Sequence, residues 1–166
     1  MALFDQHVNQ AKKNLIFLKD ISDQSKHFDW QVTACFYTAV HLMNAHLAIC
    51  GGFHFRSHKA TQDALNPHIN GPCKIEEDIF NLYLSLYKLS RRSRYLCDEE
   101  FTGETDEAAA YLTLEKHVGR AINRLSTIMD FFQNKYNTPF DKMDIVCPKV
   151  KHKLKENTQQ FFVTTV

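Results

Sequence analysis

What this sequence lacks narrows it before anything present is weighed. Its five cysteines, Cys35, Cys50, Cys73, Cys97 and Cys147, are scattered, with no Cys-x-x-Cys pair among them. An odd, dispersed set fits reduced thiols in an intracellular protein rather than a disulfide frame or a zinc cluster. There is no His-Glu-x-x-His, no Gly-x-Ser-x-Gly elbow and no glycine-rich phosphate loop, so three common catalytic designs have no carrier. His41 and His46 are five residues apart, which makes them diverge on a helix, and no Glu-x-x-His supports either. No metal and no cofactor are therefore expected. Charge of one sign is also missing: 20 Lys and Arg stand against 19 Asp and Glu. That balance excludes a strongly basic nucleic-acid footprint over the whole chain and leaves room only for a local patch. Residues 1–14 hold no apolar signal-peptide core, and no apolar run reaches the length that spans a bilayer. The expected location is the cytoplasm, with no membrane partner. Neither an internal repeat nor a low-complexity segment is present.

What is there is helical patterning. The chain has 166 residues, 44% of them hydrophobic, including 13 Phe and 6 Tyr, which suits one domain with a sizeable core. Phe4, Val8, Ala11, Leu15 and Leu18 recur by fours and threes and predict a helix over 4–25. Asp29 reads as the N-cap of a second helix over 30–50, with Trp30 opening it and Gly51-Gly52 closing it. Val32, Phe36, Ala39, Met43 and Leu47 form one stripe of that helix, and Ala34, Tyr37, His41, Asn44 or Ala45, and Ala48 form another. A helix apolar on most of its circumference is buried on most sides, so this one should be central. Ser57 is a fair N-cap for a short helix over 58–65. A third long helix is predicted over 74–97, with Ile75, Ile79, Leu82, Leu86 and Leu89 as its core stripe and Glu76, Glu77 and Asp78 in its first turn. A fourth runs over 107–136, on the order of 45 Å long at ~1.5 Å per residue. Its stripe is Tyr111, Val118, Ile122, Leu125, Met129, Phe132 and Tyr136. The fold class is all-α, an up-and-down four-helix bundle with one short additional helix, over residues 1–136. Residues 137–166 read as a separate tail with a basic stretch and a β-prone end, either a loose arm or a docking segment.

Three groups of residues could carry function. Tyr37, His41 and Asn44 share one helix face, where they could orient a ligand or supply a general base; the plainer reading is a hydrogen-bonded core network. Arg91, Arg94 and Tyr95 combine guanidinium forks with stacking surface, and Tyr87 lies on the same stripe. The plainer reading there is a solvated helix end paired with the acidic loop Asp98-Glu99-Glu100. His54, Ser57 and His58 stand at the start of the short helix, where backbone N–H groups favour an anion. If the second and third long helices lie side by side, Tyr37 and His41 face Tyr87, Arg91 and Arg94 across a cleft. Arg94 then requires either an internal acid, with Asp29 the candidate, or an external phosphate.

The run from Asp29 to His41 (DWQVTACFYTAVH), its continuation through Ala45-His46-Leu47-Ala48 to Gly52, His54, Ser57 and His58, and the run from Leu86 to Tyr95 (LYKLSRRSRY) together resemble HEPN-domain proteins over about residues 5–136. The resemblance implies a four- or five-helix bundle, frequent dimers and roles close to nucleotides and RNA. It also implies either ribonuclease activity in toxin–antitoxin or defence systems, or partnership with a nucleotidyltransferase. Ribonuclease members carry Arg, four to six residues, then His. None of Arg56, Arg91, Arg92, Arg94, Arg120 and Arg124 has a His at that spacing, so the catalytic pair does not carry over. The resulting expectation is a non-catalytic binding module that recognises a nucleotide, RNA or protein partner through the cleft between the second and third long helices; a divergent ribonuclease or toxin-type enzyme with His41 or His58 as base, and a purely structural interaction protein, stand as alternatives.

Overall fold

Five α-helices carry most of the chain in the computed structural model, which describes residues 3–23, 26–95, 115–146 and 156–165. They are α1 (Phe4–Ser22), α2 (Phe28–Gly51), α3 (His58–Leu65), α4 (Glu77–Tyr95) and α5 (Glu115–Tyr136). A strand β1 (Met143–Val146), a 3₁₀ turn (Glu156–Gln160) and a strand β2 (Phe162–Thr165) follow.

The central place of α2 follows from its composition. Its face packs against α1, α3, α4 and α5, and Val32, Phe36, Ala39, Leu42, Met43 and Leu47 are all fully buried. The sequence reading found no apolar run of membrane-spanning length; α2 corrects this. By length and composition its 24 residues could cross a bilayer, at a mean hydropathy of 1.2, but 78% of the apolar window is buried inside the protein. The apolarity is that of a helix with neighbours on nearly every side.

The helix ends depart from the sequence reading in instructive ways. Asp29 is not the N-cap of α2. His27 occupies that position in a left-handed conformation, φ 58°, and its side chain makes no capping bond. Gln31 stabilises the entry instead, its Nε2 donating to the Lys26 carbonyl at 2.8 Å. At the other end Gly52 takes φ 66° and donates its N–H to the Ala48 carbonyl at 3.1 Å, the left-handed closure that glycine tolerates without strain. Helix α1 ends at Ser22, where the Ser22 hydroxyl donates to the Lys19 carbonyl at 2.8 Å. Helix α4 begins at Glu77 rather than at Lys74, because Ile75 N–H is turned back to the Leu65 carbonyl at 3.1 Å. The expected extensions of α4 to residue 97 and of α5 back to residue 107, with Tyr111, lie outside the described residues.

On α4 the buried face is shifted from the expected stripe. Ile79 and Leu86 are buried as the periodicity requires, but Phe80 and Tyr83 are buried with them, while Leu82 and Leu89 are only partly covered. Tyr83 is fully enclosed, and burial, with Tyr87 beside it, drives its hydroxyl well above the usual phenol range. On α5 Val118, Ile122, Leu125, Met129 and Phe132 are all fully buried, as the heptad pattern requires.

The C-terminal elements sit against the helices. β1 and β2 pair in parallel, Met143 opposite Phe162 through Val146 opposite Thr165. Phe140, Ile145, Phe161 and Phe162 join the same core as the helices. Thr158 Oγ1 donates to Asn123 Oδ1 of α5 at 2.8 Å, and Val146 N–H donates to Ser22 Oγ of α1 at 3.4 Å.

Candidate functional site

The residues singled out from the sequence divide into two clusters on neighbouring parts of α2. The first lies where α2, α3 and α4 meet. Arg94, near the end of α4, donates from one terminal nitrogen to the Tyr37 hydroxyl of α2 at 3.1 Å, and from Nε to the Ser90 carbonyl one turn back at 3.3 Å. Its guanidinium carbon stands 5.9 Å from the Phe36 ring, 5.6 Å from Tyr37 and 5.0 Å from Tyr95, within range of cation–π attraction. His58, the first residue of α3, touches Phe36, Tyr37 and Tyr87, with ring centroids at 5.2, 6.1 and 5.7 Å. Arg91 lies over Tyr87 at 5.8 Å. The result is a collar of aromatic rings around two cations and an imidazole.

The acidic loop expected to pair with this helix end, Asp98-Glu99-Glu100, lies outside the described residues. Among the described residues no carboxylate lies within ion-pair distance of Arg94. Asp29, the internal acid expected for it, does not pair with it. Burial first, and the Arg94 charge second, push the His58 pKa below its ordinary value. That shift favours the neutral ring, in which one nitrogen is an N–H donor and the other an acceptor, the tautomer deciding which is which.

The second cluster was only half visible in the sequence. His41 does not face α4; it turns to α1, where its Nδ1 meets His7 Nδ1 at 3.2 Å. The other nitrogen of His7, Nε2, meets His54 Nδ1 of the α2–α3 connector at 3.1 Å. Neutral imidazoles carry one N–H each, so the chain runs in one direction. Either His41 donates to His7 and His7 to His54, or both bonds are reversed. His7 is only 3% exposed. Burial, then repulsion from His41 and His54, push its pKa down to about 4. His41 is lowered by burial and by His54. His7 lies one residue before Val8 of the expected α1 stripe, so its inward place was legible as a stripe neighbour, although its polarity argued for a surface position. Because His7 spends both nitrogens on different partners, the three rings form a line and do not converge on a point. Among the described residues no group of three or more His, Cys, Asp or Glu is arranged to hold a metal ion.

Asn44 and Ser57 belong to neither cluster. Asn44 is buried, and its Nδ2 donates to the Val40 carbonyl at 3.0 Å within its own helix. Ser57 caps α3, its hydroxyl accepting from Ala60 N–H at 3.2 Å, so its oxygen is committed to the fold. Tyr95 is the most open member of the first cluster, at 60% exposure. Phe36 and Tyr83 stack on each other at 5.9 Å beneath it; from the sequence Phe36 belongs to a core stripe of α2, and Tyr83 to the second stripe of α4 with Tyr87, Arg91 and Arg94.

Surface grooves among the described residues also lie apart from both clusters. One, of about 310 Å³, is lined by Phe17, Ile21, His27 and Trp30. Another, of about 510 Å³, lies between α4 and α5 and includes Glu76, Asp78, Asp130 and Lys135. No family model, curated protein or solved structure matches this chain.

Proposed function

We propose that this chain is a non-catalytic, HEPN-like binding module, an up-and-down four-helix bundle with one short added helix, that takes a nucleotide or an RNA phosphate at the α2–α4 junction. The observation that carries the reading is Arg94: a guanidinium set among aromatic rings, bonded to the Tyr37 hydroxyl, with no carboxylate beside it among the described residues. A partly covered guanidinium with no carboxylate beside it favours an anionic partner, and guanidinium forks match phosphate oxygens. Tyr95 and Tyr87 offer ring faces on which a base can stack. Arg91 stands on the same helix face and adds charge to the same side.

A nucleotide panel tests this. Saturating nucleoside phosphate raises the melting temperature of the wild type, and Arg94→Ala removes that shift. Its own stability cost is about 1 kcal/mol, the scale of a cation–π contact and one hydrogen bond, not the ~3–5 kcal/mol of breaking a buried ion pair. A large loss in Arg94→Ala together with no ligand shift in the wild type retires the binding site and leaves a structural core network.

The reading carries a homodimer, a cytoplasmic location and, in place of a small ligand, a nucleotidyltransferase or other protein as the alternative partner. Light scattering at high concentration returns twice the chain mass; a monomer mass removes the dimer. A second reading, a divergent ribonuclease or toxin-type enzyme, draws on His58, which is neutral beside Arg94 and Tyr37 and so is available as a base. Turnover of an RNA substrate that disappears in His58→Ala would favour it.

A further inference from the structure

One side of α1 carries a stripe that no other described element covers. Elsewhere the helix lies against α2 and β1, and Lys12 Nζ stands 6.0 Å from the Phe140 ring just before β1. The remaining side presents Lys13, Ile16, Phe17 and Asp20, all exposed, at the i, i+3, i+4, i+7 spacing of a single helix face. Ile16 is 59% exposed and Phe17 47%. Trp30, at the start of α2, is 55% exposed and shares the groove of about 310 Å³ with Phe17, Ile21 and His27. Two large apolar side chains together on one stripe, continued by a tryptophan beside them, make a patch. They are not the isolated exposed residue that any surface carries. Each end of the stripe bears one charge, of opposite sign. Among the described residues neither Lys13 nor Asp20 is in an ion pair. They stand about 10 Å apart along the helix axis, too far to pair with each other.

We propose that this face is a two-fold interface between two copies of the chain, in which α1 packs antiparallel on the partner's α1 about an axis between Ile16 and Phe17. The order of the charges selects a second copy as the occupant. An isologous contact sets each residue against one equally far from the axis on the other side. With the axis between Ile16 and Phe17, Ile16 lies opposite the partner's Phe17 and Lys13 opposite the partner's Asp20. The same pairs recur with the copies exchanged, so one stripe supplies an apolar centre and an ion pair at each end. A parallel pairing loses this match, because it sets Lys13 against Lys13 and Asp20 against Asp20. A dimer face needs roughly 800 Å² from each partner, so the interface extends past the α1 stripe onto Trp30 and the groove beside it. The inference rests on the homodimer of the reading above and gives that dimer its face. None of Lys13, Ile16, Phe17 and Asp20 belongs to the α2–α4 junction, so the face can be broken without touching the nucleotide site.

Sedimentation equilibrium on the full chain and its variants tests the interface, with circular dichroism to show that the helices persist. Phe17→Glu, at an exposed position, puts a carboxylate from each copy into the apolar centre. It raises the dimer dissociation constant by about 100-fold or more, giving a folded monomer where the wild type is a dimer. Lys13→Asp sets two carboxylates against each other at both ends and weakens the dimer by about tenfold at low salt. Combining Lys13→Asp with Asp20→Lys exchanges the two ends and restores the dimer. That rescue is decisive, because no contact within one chain links the two positions. A wild-type dimer that neither Phe17→Glu nor Lys13→Asp weakens overturns the face and leaves the homodimer standing elsewhere. Failure of the exchanged variant to recover overturns the antiparallel register. A wild-type monomer at high concentration overturns the face and the homodimer together, while the nucleotide-dependent melting shift reports separately on the α2–α4 junction.

Discussion

Acid destabilises this protein through His7, by on the order of 3 kcal/mol between neutral pH and pH 4. The cause is the imidazole line that joins α1, α2 and the connector. His7 is buried with its two nitrogens committed to His41 and His54, and its pKa is pushed down to about 4 from an ordinary 6.5. The unfolded chain therefore binds a proton at that site from about pH 6.5 downward, while the folded chain does not until about pH 4. Stability is fully present above pH 6.5, falls across that window and levels off below it. The line can hold one proton on His7 and still satisfy both bonds, with His7 donating each way. A second proton sets N–H against N–H, so His41, lowered in the same direction, steepens the loss. Urea unfolding of the wild type and His7→Phe at several pH values checks this. The difference in stability between the two proteins should shift by about 3 kcal/mol in favour of the variant on going from pH 7.5 to pH 4. Parallel profiles would show that His7 titrates normally.

How far the sequence foretold this molecule depends on what each signal measures. Periodicity reports which side of a helix is apolar, and for α1, α2 and α5 it named buried residues correctly: Leu15 and Leu18, Phe36 and Met43, Ile122 and Phe132. It set Tyr83 on the second stripe of α4 with Tyr87, Arg91 and Arg94, yet Tyr83 is fully buried, because a tyrosine carries both a ring that belongs inside and a hydroxyl that argues against it. Helix ends were harder. Asp29 has the right chemistry for a cap, but the chain turns one residue before α2 at His27, in a left-handed conformation that no residue-type preference would assign to histidine.

The candidate site divides for a related reason. A spacing of four or seven puts Tyr37, His41 and Asn44 on one side of α2, yet a central helix has neighbours on several sides. Tyr37 meets α4 through Arg94, whereas His41 meets α1 through His7. Which neighbour lies over which turn is set by the tertiary arrangement, and nothing local encodes it.

Loss of the C-terminal aromatics should cost nearly as much as loss of a helix core residue. A two-stranded sheet on its own is marginal in water, so the pairing of β1 with β2 needs another source of stability. Burial provides it: Phe161 and Phe162 are each only 1% exposed, and Ile145 of β1 is fully covered. Met143 N–H donates to the Phe161 carbonyl at 2.8 Å, which fixes the register from which Phe162 faces Met143. Phe162→Ala and Phe161→Ala should each destabilise the whole protein by about 3–5 kcal/mol in urea unfolding, the usual cost of deleting an enclosed ring. Val163→Ala, on the exposed side of the same strand, should stay within about 0.5 kcal/mol. The three variants separate the two readings of the tail. A loose arm predicts near-wild-type stability for all of them, because a segment with no cover has no transfer energy to lose. A docked segment predicts the alternation, large at 161 and 162 and small at 163, in a single cooperative transition that includes α5, since Thr158 is bonded to Asn123 of that helix. A separate early transition in Phe162→Ala, with the helices melting later at the wild-type midpoint, would instead make the tail its own weakly attached unit.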